Sequence, residues 1–312
     1  MDRRSFLRAL GVSATIASFG NTRAFTRTHK PQVAITMDDP RLQQAHGLTG
    51  EQINRKILDA LDRHKVKAAL FVCGMRVDSD AGRALLGTWS DAKHTLGNHT
   101  YSHWYLHSKR ITLPAFCDDI ARGESVASTF PQFRKLFRFP FFKEGETAEK
   151  RDGVRRFLSN KGYRMGRATI DASDWAIDAR LLARLQKQSD ADLAPYRDFY
   201  LAHIAERSRY YDDLAHQVLG GPVRHTLLIH HNLLNALFLD DLLRSYRDKG
   251  WQVISADDAY RDPVYQRQPE ILPAGESLIW ALAKEAGKFE SILRYPGEDE
   301  PYEKPRMDAL NL

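Results

Sequence analysis

Short apolar runs alternate with longer amphipathic stretches along the chain from residue 32 onward. The apolar runs predict buried strands at residues 32–37, 66–74, 136–142, 163–170, 225–231 and 251–256, and a further strand leads into Gly97. Between them, apolar residues recur at helical spacing and predict helices, for example at residues 50–65, 151–162 and 239–250. Repeated strand–helix–strand units of this kind predict an α/β fold with a parallel sheet, either open or closed into a barrel.

Polar and reactive side chains follow directly after several of these strands. They are Asp38 and Asp39, Arg138, Asp171 and Asp174, and His230 and His231. In parallel α/β folds, active sites form where the C-terminal ends of the strands meet. The pattern therefore predicts a single cleft lined by aspartate, arginine and histidine.

Two segments interrupt this alternation. Residues 176–221 are an unusually long and mostly helical connection, which could form a lid or one wall of the cleft. After residue 262 the chain becomes proline-rich around one amphipathic helix, and we expect this extension to pack on the barrel. The chain is therefore divided into residues 1–24, a main domain at 25–262 and a C-terminal extension at 263–312.

The first 24 residues have the layout of an export signal. Arg3 and Arg4 precede a mildly apolar run that is shorter than the roughly 20 residues a membrane span needs. The paired arginines resemble the twin-arginine type, and Thr22 and Ala24 are small enough to precede a cleavage site. The protein is therefore expected to be exported to the periplasm or outside the cell, without stable membrane insertion after cleavage.

The charge of the chain argues against nucleic acid as a partner. The formal net charge is +6, but residues 1–24 contain four arginines and one aspartate, which leaves 42 basic and 39 acidic residues. The remaining net charge is +3, and no basic stripe interleaved with aromatic residues occurs. A hydrophobic content of 43% and a charged content of 28% are typical of a globular protein.

Two adjacent aspartates and two histidines four residues apart carry the chemistry of a metal site. Successive side chains on a strand point to opposite faces, so Asp38 and Asp39 are expected to differ in role, one binding a metal and one acting as a base. His99 and His103 would lie about 5–6 Å apart at Cβ if their segment is helical. Two imidazoles and one carboxylate suit zinc or another divalent metal with open positions. With 12 histidines in 312 residues, chance supplies about half such a pair, so the spacing alone is a weak motif.

Five short segments together resemble a known family. In chain order they are TMDDP (36–40), HTYSH (99–103), RFPFF (138–142), DASDW (171–175) and LLIHH (227–231). They resemble the motifs of the polysaccharide deacetylase family, carbohydrate esterase family four, across roughly residues 32–260. The resemblance implies a catalytic domain built as a distorted, incomplete (β/α) barrel of about seven parallel strands. It also implies one divalent metal ion, usually zinc, and hydrolysis of N-acetyl groups on an amino-sugar polymer or oligomer.

The resemblance assigns roles around the metal. Asp39, His99 and His103 would hold the ion, and Asp38 would be the general base for the attacking water. Arg138 would orient Asp38 through a charge-assisted hydrogen bond. Such a metal polarises the amide carbonyl and makes its water more acidic, which removes much of the barrier to hydrolysis.

The resemblance also assigns residues to protonation of the leaving amine and to substrate binding. His230 would protonate the leaving amine, and Asp174 would keep its imidazolium available at neutral pH. Strand alternation allows only one of His230 and His231 to face the cleft, and the preceding apolar pattern favours His230. The backbone N–H of Phe141, which stands where tyrosine is common, would help to hold the oxyanion. Trp175 would line the sugar groove.

Two alternatives stay open at this point. A protein could keep the barrel and bind an N-acetylated polysaccharide or oligosaccharide without catalysis, because a fold does not imply a function. A hydrolase of another small carbon–nitrogen amide could use the same residues. A non-haem iron(II) oxygenase also uses two histidines and one carboxylate, but the sequence lacks its closely spaced His-x-Asp pair and its all-β pattern.

Overall fold

The computed structural model describes residues 30–294 and 302–312. The predicted export signal at residues 1–24 lies outside these described residues. Within them, no helix combines the length and the apolar character that crossing a membrane would require.

A curled parallel sheet forms the centre of the molecule. The strands among the described residues are β1 (Gln32–Asp38), β2 (Ala69–Val72), β3 (Thr95–Asn98), β4 (Phe133–Phe137), β5 (Lys143–Gly145), β6 (Arg164–Met165), β7 (Ile170–Asp171), β8 (Arg224–His230), β9 (Gln252–Val253) and β10 (Ala274–Gly275). Seven strands follow the order β6-β4-β3-β2-β1-β8-β7, and β9 pairs with the beginning of β1. This arrangement confirms the predicted distorted, incomplete (β/α) barrel.

Helices cover the outside of the sheet. They are α1 (Gly50–Arg63), α2 (Asp80–Asp91), α3 (Leu113–Ala127), α4 (Ala148–Asn160), α5 (Asp174–Lys187), α6 (Ala194–Leu219), α7 (Leu233–Asp248), α8 (Ala256–Ala259), α9 (Leu278–Ala286) and α10 (Glu303–Ala309). Polar caps fix where several of them begin. Thr49 and Gln52 form a reciprocal capping box at the start of α1, and Asn232 accepts the Asn235 N–H at the start of α7.

The register of β1 brings the ends of several strands together. Residues Val33 to Asp38 are all buried in the sheet. Asp38 is level with His230 of β8 on one side and with Phe71 of β2 on the other. Because these strands are parallel, the residues that follow them meet at one edge of the sheet.

The prediction of one strand at residues 163–170 is wrong. These residues form two short strands at opposite ends of the sheet, β6 beside β4 and β7 beside β8. Only residues 166–169 join them, so the sheet curls until its two edges come close. Gly166 is needed in this connection because the ring of Phe71 lies 2.3 Å from an ideal Cβ at that position.

The other predicted strands occur with shifted ends. The strand predicted at 136–142 begins earlier, as β4, and ends at Phe137, because Pro140 opens a short 3₁₀ turn at Pro140–Phe142. The one predicted at 251–256 is reduced to β9, because residues 256–259 form α8. The strands predicted at 32–37 and 225–231 match β1 and β8 almost throughout.

The prediction that residues 176–221 form a lid or cleft wall is wrong. They form most of α5 and all of α6, and apolar side chains such as Leu181, Phe199 and Ile204 join the main core instead. None of these residues lines the cleft described below. The described part of the C-terminal extension packs on the same helices, with α9 against α6 and α10 against α5, and β10 pairs antiparallel with β5.

Candidate active site

Asp38 and Asp39 end β1 at a sharp turn in the chain. Asp39 has a left-handed backbone conformation, with a φ of 59°, which is uncommon outside glycine and costs free energy. The two carboxylates consequently have different partners. Asp38 Oδ1 accepts a hydrogen bond of 2.7 Å from Arg138, whereas Asp39 Oδ2 lies 3.5 Å from His103 Nε2.

His99 and His103 lie on a loop, so the helical spacing considered for them is wrong. β3 ends at Asn98, and left-handed residues at Thr100 and His103, with φ of 64° and 56°, turn the chain. Asn98 Oδ1 accepts the Thr100 N–H at 2.9 Å, and Thr100 Oγ1 accepts the His103 N–H at 3.0 Å. The loop brings the two imidazole rings to 5.0 Å between centroids.

Asp39, His99 and His103 could hold one metal ion. Each offers a ligand atom, and these three atoms lie within 4.8 Å of one another. His99 Nδ1 lies 2.8 Å from the Arg138 carbonyl, to which it donates, so Nε2 keeps its lone pair for a ligand. Asp39 Oδ1 is buried without a hydrogen-bond partner among the described residues, although Arg76 Nε lies 3.1 Å away. Imidazole nitrogens and a buried carboxylate oxygen that accepts no hydrogen bond fit a divalent cation.

The protonation states of these three side chains also suit a cation. Burial lowers the pKa of His99 and of His103 to about 4, so both rings are neutral at pH 7. Burial alone would raise the pKa of Asp39, but the charges that His103 and His99 carry when protonated, together with the charge of Arg76, outweigh burial and lower this pKa. Metal ligands must be deprotonated, and all three are in that form at neutral pH.

Arg138 is fully buried, and all three nitrogens of its guanidinium donate hydrogen bonds. It donates to Asp38 Oδ1 at 2.7 Å, to the Gly166 carbonyl at 2.7 Å and to Thr36 Oγ1 at 2.8 Å. Its guanidinium also lies over the ring of Phe71, 4.1 Å from the centroid. Burial raises the pKa of Asp38, and the opposing charge of Arg138 limits the rise.

His230 forms a pair with Asp174 on the opposite side of the cluster. His230 Nδ1 lies 2.7 Å from Asp174 Oδ1, and the His230 backbone N–H donates to Asp174 Oδ2 at 2.9 Å. Asn232 and Asn235 also donate to Oδ2 and fix the carboxylate. Burial alone would lower the pKa of His230, but the Asp174 carboxylate dominates and raises it to about 9.

His231 is buried on the other side of the strand. Its Nε2 lies 3.1 Å from Asn54 Oδ1, and its Nδ1 accepts the backbone N–H of Arg41 at 3.4 Å. His230, by contrast, lines the cleft. Of the two neighbouring histidines, only His230 therefore faces the candidate ligands.

One cleft of about 640 Å³ contains the predicted site residues. Seven of the nine line it directly, namely Asp38, Asp39, His99, His103, Phe141, Trp175 and His230. Arg138 and Asp174 lie behind this surface, bound to Asp38 and His230. Phe141 is 48% exposed, with its ring edge-on to His103 and to Tyr105 at centroid distances of 4.6 Å and 5.5 Å.

Arg41, Arg76 and Tyr105 also line the cleft, and the sequence reasoning did not single them out. Arg76 follows β2 by four residues, so the rule that reactive residues follow strand ends could have found it. Arg41 lies three residues beyond the end of β1 and could have been found in the same way. Tyr105 carried no comparable signal, because it lies seven residues past β3 in an irregular loop.

An incomplete (β/α) barrel with a His₂Asp cluster at its strand ends defines the class of fold and site. Solved structures share the fold. A mutant of a carbohydrate esterase family four pseudoenzyme is 17% identical, with a TM-score of 0.52, over 74% of this chain and 67% of that chain. A peptidoglycan N-acetylglucosamine deacetylase in complex with 4-naphthalen-1-yl-N-oxidanyl-benzamide is 19% identical, with a TM-score of 0.50, over 74% of this chain and 89% of that chain.

Sequence comparison finds the same similarity in the N-terminal half of the chain. Residues 26–165 match the family model described as polysaccharide deacetylase, which confirms the resemblance. A peptidoglycan-N-acetylglucosamine deacetylase of Bacillus cereus is 26% identical over 148 residues, 47% of this chain and 47% of that protein. The match thus spans about half the length of this curated relative.

Proposed function

We propose that this protein is a metal-dependent hydrolase that removes N-acetyl groups from an amino-sugar polymer or oligomer. The observation that carries the proposal is the convergence of Asp39, His99 and His103 within 4.8 Å, between a buried carboxylate and a paired histidine. The match of residues 26–165 to the polysaccharide deacetylase family model supports this reaction, an attack on a carbon–nitrogen amide bond. The Bacillus cereus relative supports an N-acetylated glycan as the substrate.

We assign Asp39, His99 and His103 as the ligands of one divalent cation, and zinc as that cation. Two imidazoles and one carboxylate are ordinary zinc ligands and leave a position for water or substrate. Zinc held by such a set supplies Lewis-acid polarisation of the amide carbonyl and a more acidic water. The hydrogen bond from His99 Nδ1 to the Arg138 carbonyl fixes the tautomer that keeps Nε2 free.

Asp38 is assigned as the general base. One of its oxygens is held by Arg138, and the other, Oδ2, lies 3.6 Å from His99 Nε2 and so faces the ligand cluster. Burial raises the pKa of this carboxyl, which makes the carboxylate a better proton acceptor. Arg138 orients the base and opposes the rise of its pKa.

His230 is assigned as the general acid. The amine of an amide departs only after it is protonated, and a positioned acid typically accelerates such a step by ~10²–10⁴-fold. Asp174 raises the pKa of His230 to about 9, so the imidazolium is available at neutral pH. With Nδ1 bound to Asp174, Nε2 is the atom left to deliver the proton.

Phe141 and Trp175 are assigned to substrate binding. Both line the cleft, and Trp175 directly follows the Asp174 that holds His230. The backbone N–H of Phe141 is assigned to the developing oxyanion of the acetyl group. The indole of Trp175 is assigned to one wall of the sugar groove.

The N-terminal sequence supports export. Its paired arginines, short apolar run and small residues before position 25 are the basis for assigning residues 1–24 as a twin-arginine signal. The assigned location is the periplasm or the cell exterior, with residues 25–262 as the catalytic domain. A fusion of residues 1–24 to a reporter protein, followed by fractionation, tests this assignment.

Acetate release from N-acetylated glycans tests the proposed function. Chitooligosaccharides and peptidoglycan fragments are incubated with the purified protein, with and without a chelator, and Asp38→Asn serves as the matched control. Release that needs metal and Asp38 is the expected result. Bound metal without release from any amide would favour a non-catalytic carbohydrate-binding protein, and release from small amides alone would favour another amide hydrolase.

A further inference from the structure

Arg41 lies where two cavities meet. It follows the turn at the end of β1, and it lines both the active-site cleft of about 640 Å³ and a smaller pocket of about 280 Å³. The smaller pocket is also lined by Asp178, His231 and Asn232, so it lies directly behind the strand end that carries His230. Arg41 is therefore accessible to a molecule bound in the cleft.

The guanidinium of Arg41 has no protein partner among the described residues. It forms no ion pair there, and its Nε atom is buried without a hydrogen bond. The other cationic side chains in or behind the cleft each have a carboxylate partner. Arg138 pairs with Asp38 at 2.7 Å and His230 with Asp174 at 2.7 Å. Arg76 lies 3.1 Å from Asp39. A partly buried guanidinium without a hydrogen-bonding anion is costly, so a function for Arg41 is expected.

Asp178, a carboxylate in the same small pocket, forms no ion pair or hydrogen bond with Arg41. Its Oδ1 accepts the backbone N–H of Leu234 at 2.9 Å. Burial raises the pKa of Asp178 to about 6, and the charge of Arg41 opposes this rise only in part. The backbone N–H of Arg41 donates a hydrogen bond of 3.4 Å to His231 Nδ1. Burial lowers the pKa of His231 to about 4, so this imidazole is neutral at pH 7.

We propose that Arg41 binds a carboxylate of the substrate, so that the substrate class is an acidic N-acetylated glycan. This inference rests on the proposed function, which by itself does not distinguish acidic from neutral glycans. The carboxylate would belong to a sugar close to the N-acetyl group under attack, as a lactyl ether or as a uronic acid. A guanidinium matches a carboxylate with two parallel hydrogen bonds, which gives geometric selectivity as well as affinity.

The expected selectivity is large enough to measure. Hydrogen bonds to charged groups in partly buried sites contribute roughly tenfold to hundredfold in an equilibrium or rate constant. A neutral glycan leaves the guanidinium unpaired and loses this contribution. The acid should therefore be preferred over its own methyl ester, which has nearly the same shape without the charge.

The experiment compares matched acids and esters. The probes are an N-acetylglucosamine–N-acetylmuramic acid tetrasaccharide, a hyaluronan tetrasaccharide, and the methyl ester of each. kcat/KM for acetate release is measured with the metal-loaded full chain for the wild type, Arg41→Met, Arg41→Lys and Arg55→Met. Arg55 is the control arginine, because it is exposed on α1 and pairs with the equally exposed Glu51.

The ratio of kcat/KM for an acid over its ester decides the question. For one of the two acids, we expect a wild-type ratio of roughly 10–100 and the same ratio in Arg55→Met. The ratio should fall to near one in Arg41→Met and should be intermediate in Arg41→Lys. The acid that shows the preference identifies the source of the carboxylate. A wild-type ratio near one for both acids, or a ratio that survives in Arg41→Met, overturns the inference and leaves the deacetylase proposal intact.

Binding measurements keep the two proposals separate. If the wild type releases no acetate from any probe, the proposed function fails, and the same ratio is then taken from dissociation constants measured by calorimetry. A carboxylate preference that disappears in Arg41→Met still supports the carboxylate site, and its absence overturns that site too. Thermal unfolding of each variant verifies that the compared proteins are folded.

Discussion

The buried carboxylate of Glu144 should control how the fold responds to acid. Glu144 lies in β5, directly after the loop that carries Phe141, and it is 4% exposed. Its Oε1 accepts from Arg167 Nε at 2.6 Å, and its Oε2 accepts from Arg167 at 2.7 Å and from Arg155 at 2.8 Å. The same two arginines donate to carbonyls of residues 267 and 269, so the cluster attaches the C-terminal extension to the barrel.

The magnitude follows from the pKa of Glu144. Burial alone would raise this pKa, but Arg167 and then Arg155 outweigh it and lower it from 4.5 to about 2. At about 1.4 kcal/mol per pKa unit, the ionised form contributes about 3 kcal/mol to the free energy of unfolding. Because the folded pKa lies below the unfolded one, this contribution is complete above about pH 5 and is lost as the pH falls towards 2.

Glu144→Gln tests this reasoning. We expect the variant to be less stable than wild type at pH 7 by ~3–5 kcal/mol, because two buried arginines lose their carboxylate. Its free energy of unfolding should also fall less steeply with pH between about 5 and 2. Urea unfolding at a series of pH values measures both effects, with Glu51→Gln, on the exposed surface of α1, as the control. Identical acid sensitivity in wild type and Glu144→Gln would refute the assignment.

Two further substitutions probe the acid and the barrel interior. In Asp174→Asn, His230 loses the carboxylate that raises its pKa to about 9. The alkaline limb of the pH profile of kcat/KM should therefore move towards the ordinary histidine pKa of ~6.5. A limb that stays in place would show that another group is the acid. In Gly166→Ala, the new methyl group meets the ring of Phe71, 2.3 Å from an ideal Cβ, so urea unfolding should show a loss of ~1–3 kcal/mol. Gly221→Ala is the matched control, since no atom beyond its chain neighbours lies within 4 Å of its Cβ position.

The sequence predicted the sheet and the position of the site because both depend on short-range patterns. Buried strands such as β1 and β8 appear as continuous apolar runs, and the polar residues that end them are obvious by contrast. Parallel pairing then forces Asp38 and His230 to the same edge. The family resemblance supplied the individual roles, which spacing alone could not.

The features that sequence reasoning missed depend on backbone conformation and on distant contacts. The left-handed residues Thr100 and His103 place this segment in a loop instead of a helical turn. The spacing of apolar residues along the sequence does not indicate this difference. The split at Gly166 reflects the ring of Phe71, which is remote in sequence. The burial of α6 reflects a C-terminal helix, α9, that follows it by about 60 residues.

Metal content together with acetate release tests the central claim most directly. The claim is that Asp39, His99 and His103 bind one cation while Asp38 acts as the base. We predict one equivalent of divalent metal per chain in the wild type, the same metal content without turnover in Asp38→Asn, and loss of both metal and turnover in His99→Ala. A wild-type protein that releases acetate after its metal has been removed, or a His99→Ala variant that keeps a full equivalent, would contradict the claim.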